Sequence, residues 1–176
     1  MKIERLFKEN GLGEVNTEGI NEKFLIDRNG KWFFEGSEIK RQPMINLFSR
    51  FLKLEADQKY YIITPYEKVL VKVIDVPFVI KSIKAVGAGK NQLLTVITNV
   101  DHEIIVGKKY PIRFAVNPTN NGVTPYVKVK DNLEAVFSRM QTLEIIDLCI
   151  NFKKSSENTM GLWSDKFFVA LETDNF

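Results

Sequence analysis

The sequence predicts an α+β protein made of two β-rich lobes that share a repeated strand–hairpin–helix–strand plan of roll-like form. Three observations favour this fold class. Short apolar runs alternate with turn residues along most of the chain. Two segments have the apolar spacing of an amphipathic helix. A short match recurs in these two segments: Phe48-Ser49-Arg50 with Leu54-Glu55, and Phe137-Ser138-Arg139 with Leu143-Glu144.

The chain is expected to begin with a short helix and a linker over residues 1–21, with Ile3, Leu6 and Phe7 on one side of the helix. The first lobe follows over residues 22–76. It opens with a hairpin whose strands, Phe24–Ile26 and Trp32–Phe34, flank a turn. The Asn-Gly pair in that turn supplies the positive φ angles that tight hairpins need.

A helix is predicted to begin at Pro43, because a proline at the first helical position loses no hydrogen bond. The polar residues 55–59 end it. Its apolar stripe consists of Met44, Leu47, Phe48, Phe51 and Leu52. Two strands, 60–63 and 69–76, come next and are separated by a break at Thr64-Pro65.

The second lobe is predicted over residues 77–176. Its expected strands are 78–86, 93–98, 104–106, 110–116 and 126–130. A second helix is expected to begin at Asp131 or Asn132, since both residue types are good N-caps. Its apolar face consists of Leu133, Val136, Phe137 and Met140, and the pattern continues to Cys149. A polar loop over 153–160 and a final strand over 167–171 complete the chain.

Composition places the chain among ordinary globular proteins. It has 176 residues, a net charge of +3 and a pI of about 8.9, with basic and acidic residues mixed. Dedicated nucleic-acid binders usually cluster their basic residues. The amino terminus lacks the apolar region of a signal peptide, and no apolar run approaches the length of about 18 residues that a membrane span needs. We therefore expect a soluble, cytoplasmic protein.

The residues of the common catalytic chemistries are scarce. The single histidine, His102, is interpreted as an exposed turn residue, and the single cysteine, Cys149, as a core residue. One of each cannot form an intrachain disulfide or a zinc site of the usual nitrogen and sulfur ligands. Phosphate-binding loops and Gly-x-Ser-x-Gly elbows are also missing from the sequence. The sequence thus predicts no catalytic residue, no metal and no cofactor, and favours a protein that is not an enzyme.

Several motifs, in their order and spacing, resemble the bacterial DUF1285 family of unknown function over residues 24 to 171. The motifs are Asp27-Arg28-Asn29-Gly30-Lys31-Trp32-Phe33, Thr64-Pro65-Tyr66-Glu67-Lys68, Asp75-Val76-Pro77-Phe78, Thr98-Asn99-Val100-Asp101 and Gly161-Leu162-Trp163-Ser164. The resemblance implies a two-lobed fold of repeated β-rich motifs packed with helices. It implies no established activity and assigns no catalytic residues, although a signalling or ligand-binding role has been suggested for such proteins.

Three functions remain open at this point. The first is a binding module for a small molecule or a signalling protein, which uses polar residues at strand breaks and a tryptophan as an apolar wall. The residues of this candidate site are Thr64, Glu67, Lys68, Thr98, Asn99, Trp32 and Trp163. The second is a hydrolase or transferase that uses the carboxylates of Glu67, Asp75 and Asp101. The third is an accessory nucleic-acid binder that uses Lys128, Lys130 and Arg139.

Overall fold

The structure is a computed structural model that describes residues 23–116, 122–154 and 157–170. The predicted N-terminal helix and linker lie outside these residues, and so does most of the segment between the predicted strands 110–116 and 126–130. The chain divides into two units, Met1–Pro77 and Phe78–Phe176. In the part that is described, no helix has the length and apolar character needed to cross a membrane.

The described part of the first unit is a six-stranded mixed sheet with one helix. Its strands are β1 (Phe24–Ile26), β2 (Trp32–Phe34), β3 (Ser37–Glu38), β4 (Leu52–Leu54), β5 (Tyr60–Ile63) and β6 (Lys68–Val73), in the spatial order β3-β2-β1-β6-β5-β4. The outer pairs are antiparallel, and β1 pairs with β6 in parallel. The sheet is therefore two antiparallel three-stranded meanders joined along their first and last strands.

Helix α1 (Gln42–Phe51) packs on this sheet through the side chain of Phe48. The Phe48 ring lies 5.4 Å from the ring of Phe24 on β1 and 6.3 Å from that of Trp32 on β2. The predicted start at Pro43 is confirmed to within one residue. The predicted end is wrong, because Leu52 lies in β4 rather than on the helix. Leu52 is fully buried and pairs with Ile62, so burial on the sheet outweighs the helical spacing.

The second unit contains a sheet with the same topology. Its strands are β7 (Phe78–Val86), β8 (Leu93–Thr98), β9 (Glu103–Ile105), β10 (Ile112–Val116), β11 (Val123–Lys128) and β12 (Glu134–Val136). Their order is β9-β8-β7-β12-β11-β10, and β7 pairs with β12 in parallel. In each sheet a fully buried phenylalanine opens the first strand opposite a buried, smaller residue: Phe24 opposite Val71, and Phe78 opposite Ala135.

The predicted fold class is confirmed: two six-stranded mixed sheets, each with one helix, share a repeated plan. The recurring sequence match, however, does not mark equivalent positions. Helix α1 lies between the third and fourth strands of its sheet, whereas helix α2 (Arg139–Asp147) follows the sixth. Leu54 lies in β4, while its counterpart in the match, Leu143, lies within α2. The repeat resides in the strand order and not in these residues.

The predicted start of the second helix is also wrong. Asp131 and Asn132 have φ angles of 47° and 65°, and they form the two-residue turn of the β11–β12 hairpin. Asparagine and aspartate tolerate this left-handed conformation as readily as they cap helices. The alternation of buried Leu133, Ala135 and Phe137 has the period of a strand.

The N-cap of α2 is instead Ser138. Its hydroxyl accepts a hydrogen bond from the backbone N–H of Gln141 at 3.3 Å, and the Gln141 side chain accepts one from the Ser138 N–H at 3.0 Å. This reciprocal pair is a capping box, whose Ser-x-x-Gln signature is present in the sequence.

A third, three-stranded antiparallel sheet completes the described part of the second unit. It consists of β13 (Ile150–Lys154), β14 (Glu157–Ser164) and β15 (Phe167–Ala170). The polar loop predicted over 153–160 is wrong, because Ile150 to Lys154 pair with residues of β14. Backbone pairing across a hairpin does not require apolar side chains, so the polar composition concealed these strands.

The fully buried Ser164 connects this third sheet to the six-stranded sheet of the same unit. Its hydroxyl accepts a hydrogen bond from the Leu94 N–H at 3.0 Å and donates one to the Val106 carbonyl at 2.5 Å. Leu94 and Val106 face each other where β8 and the segment after β9 separate, and the Val106 N–H bonds directly to the Leu94 carbonyl at 2.9 Å. Two residues in such an antiparallel pair normally exchange two backbone hydrogen bonds. Here the Ser164 hydroxyl bridges the Leu94 N–H and the Val106 carbonyl in place of the second one.

Candidate functional site

The predicted polar site residues of the first unit, Thr64, Glu67 and Lys68, lie in and beside the turn between β5 and β6. The hydroxyl of Thr64 accepts hydrogen bonds from the N–H groups of Tyr66 and Glu67, at 3.3 and 3.1 Å. The Thr64 N–H donates to the Glu67 carbonyl at 2.9 Å. Thr64 therefore closes the turn through its side chain as well as its backbone.

Lys68 lies on the exposed side of the same sheet, in contact with two neighbouring groups. Its ammonium is 3.1 Å from a carboxylate oxygen of Glu55 and 4.2 Å from the centre of the Tyr61 ring. The Tyr61 hydroxyl in turn donates a 2.8 Å hydrogen bond to Asp57. This hydrogen bond lowers the pKa of Asp57 and raises the pKa of Tyr61. The cluster links β6 and β5 to the turn between β4 and β5 through exposed polar and charged side chains.

Thr98 and Asn99 lie at the turn between β8 and β9 in the second unit. The fully buried Thr98 accepts a hydrogen bond from the His102 N–H at 3.1 Å. Asn99 donates its N–H to the Val79 carbonyl at 2.8 Å and accepts the Val79 N–H on its side-chain oxygen at 3.1 Å. His102, predicted to be exposed, is half-buried, with its ring 5.6 Å from that of Phe78. These polar groups attach the turn to β7.

The two tryptophans occupy different environments. Trp32 is fully buried in the core of the first unit, stacked on Phe48. Its indole N–H has no hydrogen-bond acceptor within the described ranges, which is unusual for a buried donor. Its position is that of a core residue. Trp163 is only half-buried, and it lies on the middle strand of the third sheet.

Trp163 forms part of an aromatic surface on one face of this sheet. Phe168 lies directly opposite it on β15, with the ring centres 5.2 Å apart. The Phe168 ring also lies over Gly161, where a Cβ atom would stand 2.7 Å from the ring and would overlap the carbonyl oxygen of Val169. A glycine is therefore required for Phe168 to lie against the sheet.

A lysine lies over the exposed part of this aromatic pair. The ammonium of Lys90, in the 3₁₀ turn η1 (Gly89–Asn91), is 5.4 Å from the centre of the Trp163 ring, within the range of a cation–π interaction. Gln92 holds the turn in place, because its side chain donates to the Trp163 carbonyl at 2.9 Å and its carbonyl accepts from the Asp165 N–H at 3.1 Å. We call Lys90, Gly161, Trp163 and Phe168 the Trp163 surface.

The residues of the alternative functions have the positions of surface and turn groups. Asp101 has a φ of 59° in the β8–β9 turn and lies 3.5 Å from the exposed ammonium of Lys81. Asp75 is exposed after β6, Lys128 is half-buried on β11, and Arg139 is the exposed first residue of α2. Over residues 23–116, 122–154 and 157–170, no group of three or more His, Cys, Asp or Glu side chains is arranged to hold a metal ion.

Cys149, predicted to be a core residue, is half-buried just after α2. Burial raises the pKa of its thiol to about 11, and the thiol lies 3.3 Å from the Ile145 carbonyl. A reactive thiol requires the opposite shift, because the thiolate is the nucleophile. This environment is that of an unreactive cysteine.

Sequence reasoning named Trp163 but missed the rest of the Trp163 surface. Gly161 could have been identified from the sequence, since an isolated glycine in a strand often marks a close approach of another group. Lys90 could not, because only the docking of the 3₁₀ turn on β14 brings it to Trp163.

Comparison with known proteins gives two family matches and two similar structures. Residues 17–76 match the N-terminal domain, and residues 77–171 the C-terminal domain, of proteins of unknown function termed DUF1285. A DUF1285 family protein from Silicibacter pomeroyi DSS-3 is 32% identical, with a TM-score of 0.78 over 96% of this chain and 94% of that one. One from Shewanella baltica OS155 is 23% identical, with a TM-score of 0.57 over 72% and 92%, and supports the fold alone. No curated protein matches the chain.

Proposed function

The chain belongs to the DUF1285 family, and we propose that it is a binding module whose Trp163 surface takes up a small anionic ligand with a planar group. The observation that supports this function is the Lys90 ammonium over the half-exposed Trp163 ring. A planar group can stack on the aromatic pair while its anionic substituent pairs with Lys90. We place such a module in bacterial signal transduction, where occupancy by the ligand would be the signal.

The Trp163 surface is organised for this task before any ligand arrives. Lys90 is exposed, so its ammonium can pair with the anionic group of a ligand while it stays over the Trp163 ring. Its turn is held by two hydrogen bonds through Gln92, and Phe168 is held against Gly161. Rigid groups lose little conformational entropy on binding, which favours affinity. Stacking of a planar base on an aromatic side chain contributes about 1–3 kcal/mol in other proteins.

A thermal-shift screen with nucleotides and aromatic carboxylates tests the proposal. A ligand at one hundred times its Kd stabilises the protein by about 2.7 kcal/mol, which raises the unfolding temperature measurably. Calorimetric titration of each stabilising compound into the wild type and K90Q follows. We expect K90Q to bind at least about tenfold more weakly, since it loses the cation at the ring (1.4 kcal/mol per factor of ten).

The matched control is K84Q, which removes another exposed lysine of the same unit, on β7. K84Q is expected to bind as the wild type does. Equal affinities of K90Q and the wild type for every compound would refute the proposed site. If only acidic peptides bound at Lys90, the ligand class would be wrong and the partner would be a protein.

A further inference from the structure

Helix α2 presents an outward stripe with an unusual composition. Met140 is 74% exposed and Leu143 is 57% exposed, and they are neighbours on the helix surface at the i, i+3 spacing. Glu144 and Asp147 continue the same stripe and are also exposed. We call these four residues the α2 stripe. The helix is attached to the unit through the opposite side, where Thr142 and Ile145 are buried.

The other helix shows that this exposure is not general in the protein. Helix α1 buries Met44, Ile45 and Phe48, and its most exposed large apolar residue, Leu47, is 38% exposed. Single apolar residues on a surface are common, but adjacent large ones mark an interaction site more often. The exposed methionine fits such a site, because its flexible side chain adapts to different partners.

The charges of α2 are a second, independent feature. The C-terminal end of a helix carries a partial negative charge and is stabilised by basic side chains. The last turn of α2 has none, and the acidic Glu144 and Asp147 lie in this half of the helix. Neither carboxylate forms an ion pair with any other side chain of the described chain. The stripe thus combines apolar exposure with two carboxylates that form no ion pair with a side chain in the described part of the chain.

We propose that the α2 stripe is a docking site for a basic amphipathic segment of another protein. The apolar residues of the segment would cover Met140 and Leu143, and its lysines or arginines would pair with Glu144, Asp147 and the helix end. From Met140 to Asp147 the helix rises about 10 Å, so the apolar and basic groups of the segment should together span about two helical turns. This partner differs in charge from the ligand of the Trp163 surface, so the two proposals stand or fall separately.

A fluorescein-labelled peptide with leucine and lysine at helical spacing is a direct probe, and fluorescence anisotropy measures its binding to the full chain. We expect binding that weakens with salt and shifts the backbone NMR signals of residues 139–147. The variant M140S/L143S should bind at least tenfold more weakly, and so should E144Q/D147N. A peptide with glutamate in place of lysine should bind at least tenfold more weakly to the wild type.

The matched controls are L47S on α1 and E103Q on β9, which remove an exposed leucine and an exposed glutamate elsewhere. Both should bind the peptide as the wild type does. Circular dichroism checks that all variants are folded. The proposal is overturned if the wild type fails to bind at low salt, if the α2 variants retain the wild-type affinity, or if the signals of 139–147 do not move. Sedimentation equilibrium tests whether the protein forms a dimer through the α2 stripe. If the wild type is a dimer and M140S/L143S is a monomer, a second copy of the chain occupies the stripe, and the proposal is also overturned.

Discussion

Replacing Ser164 with alanine removes one hydroxyl that serves two buried backbone groups. The N–H of Leu94 loses its acceptor and the carbonyl of Val106 loses its donor, while both residues are fully buried. A buried polar group left without a partner costs about 1–3 kcal/mol. Some of this cost is recovered if β8 and the Val106 segment close and bond directly. We therefore expect S164A to lower the free energy of unfolding by about 2–4 kcal/mol.

Urea unfolding followed by circular dichroism measures this loss, and amide hydrogen exchange locates it. The Leu94 N–H should exchange about 30 to 1,000 times faster in S164A, because each 1.4 kcal/mol corresponds to a factor of ten. The control is S82A, which removes an exposed hydroxyl from β7 and should change the free energy of unfolding by less than about 0.5 kcal/mol. A loss in S164A as small as in S82A would refute the reasoning, because the strands would then have closed without the hydroxyl.

Three further predictions concern Gly161, Cys149 and Tyr61. G161A should lower the free energy of unfolding by about 1–3 kcal/mol in urea titrations, because its Cβ would stand 2.7 Å from the Phe168 ring. Cys149 at pH 8 should react with a thiol reagent about one hundred times more slowly in the folded chain than in urea, since burial raises its pKa from 9.0 to about 11. Y61F should raise the pKa of Asp57 in NMR titrations, because the hydrogen bond from Tyr61 lowers it.

Each of these predictions has a control variant or an outcome that would contradict it. G107A places its Cβ 3.3 Å from the nearest side chain and should cost less than G161A. For Cys149, the reaction rate in the folded chain should rise with pH until about 11; a plateau near pH 9 would show an unperturbed thiol. Y66F removes the hydroxyl of a tyrosine that is 72% exposed and should leave the Asp57 pKa unchanged. An Asp57 pKa that moves in neither Y61F nor Y66F would mean that the hydrogen bond is not formed in solution.

Local patterns predicted those elements whose signals lie within a few residues. The hairpin at Phe24–Ile26 and Trp32–Phe34 is where the sequence places it, although only Gly30 in its turn has a positive φ. Strands Phe78–Val86 and Leu93–Thr98 also match their predicted bounds. The capping box at Ser138 was equally readable, but the good N-cap residues before it, Asp131 and Asn132, obscured it.

For the candidate site, the sequence identified the residue types and not their roles. Thr64 and Thr98 were chosen as polar residues at strand breaks, and the structure shows their hydroxyls bound to the N–H groups of their own turns. Strand breaks need such groups whether or not a ligand binds nearby, so their presence does not discriminate between the two roles. Whether they also contact a ligand remains a prediction.

The sequence by itself determined the class of fold, the two lobes and the family, because these depend on periodicity, turn chemistry and ordered motifs along the chain. The tertiary structure alone decided which residues meet. The parallel pairing of β1 with β6, the bridge from Ser164 to Leu94 and the approach of Lys90 to Trp163 all join residues distant in sequence. Such contacts depend on the burial and backbone pairing of the whole unit, which no local pattern records.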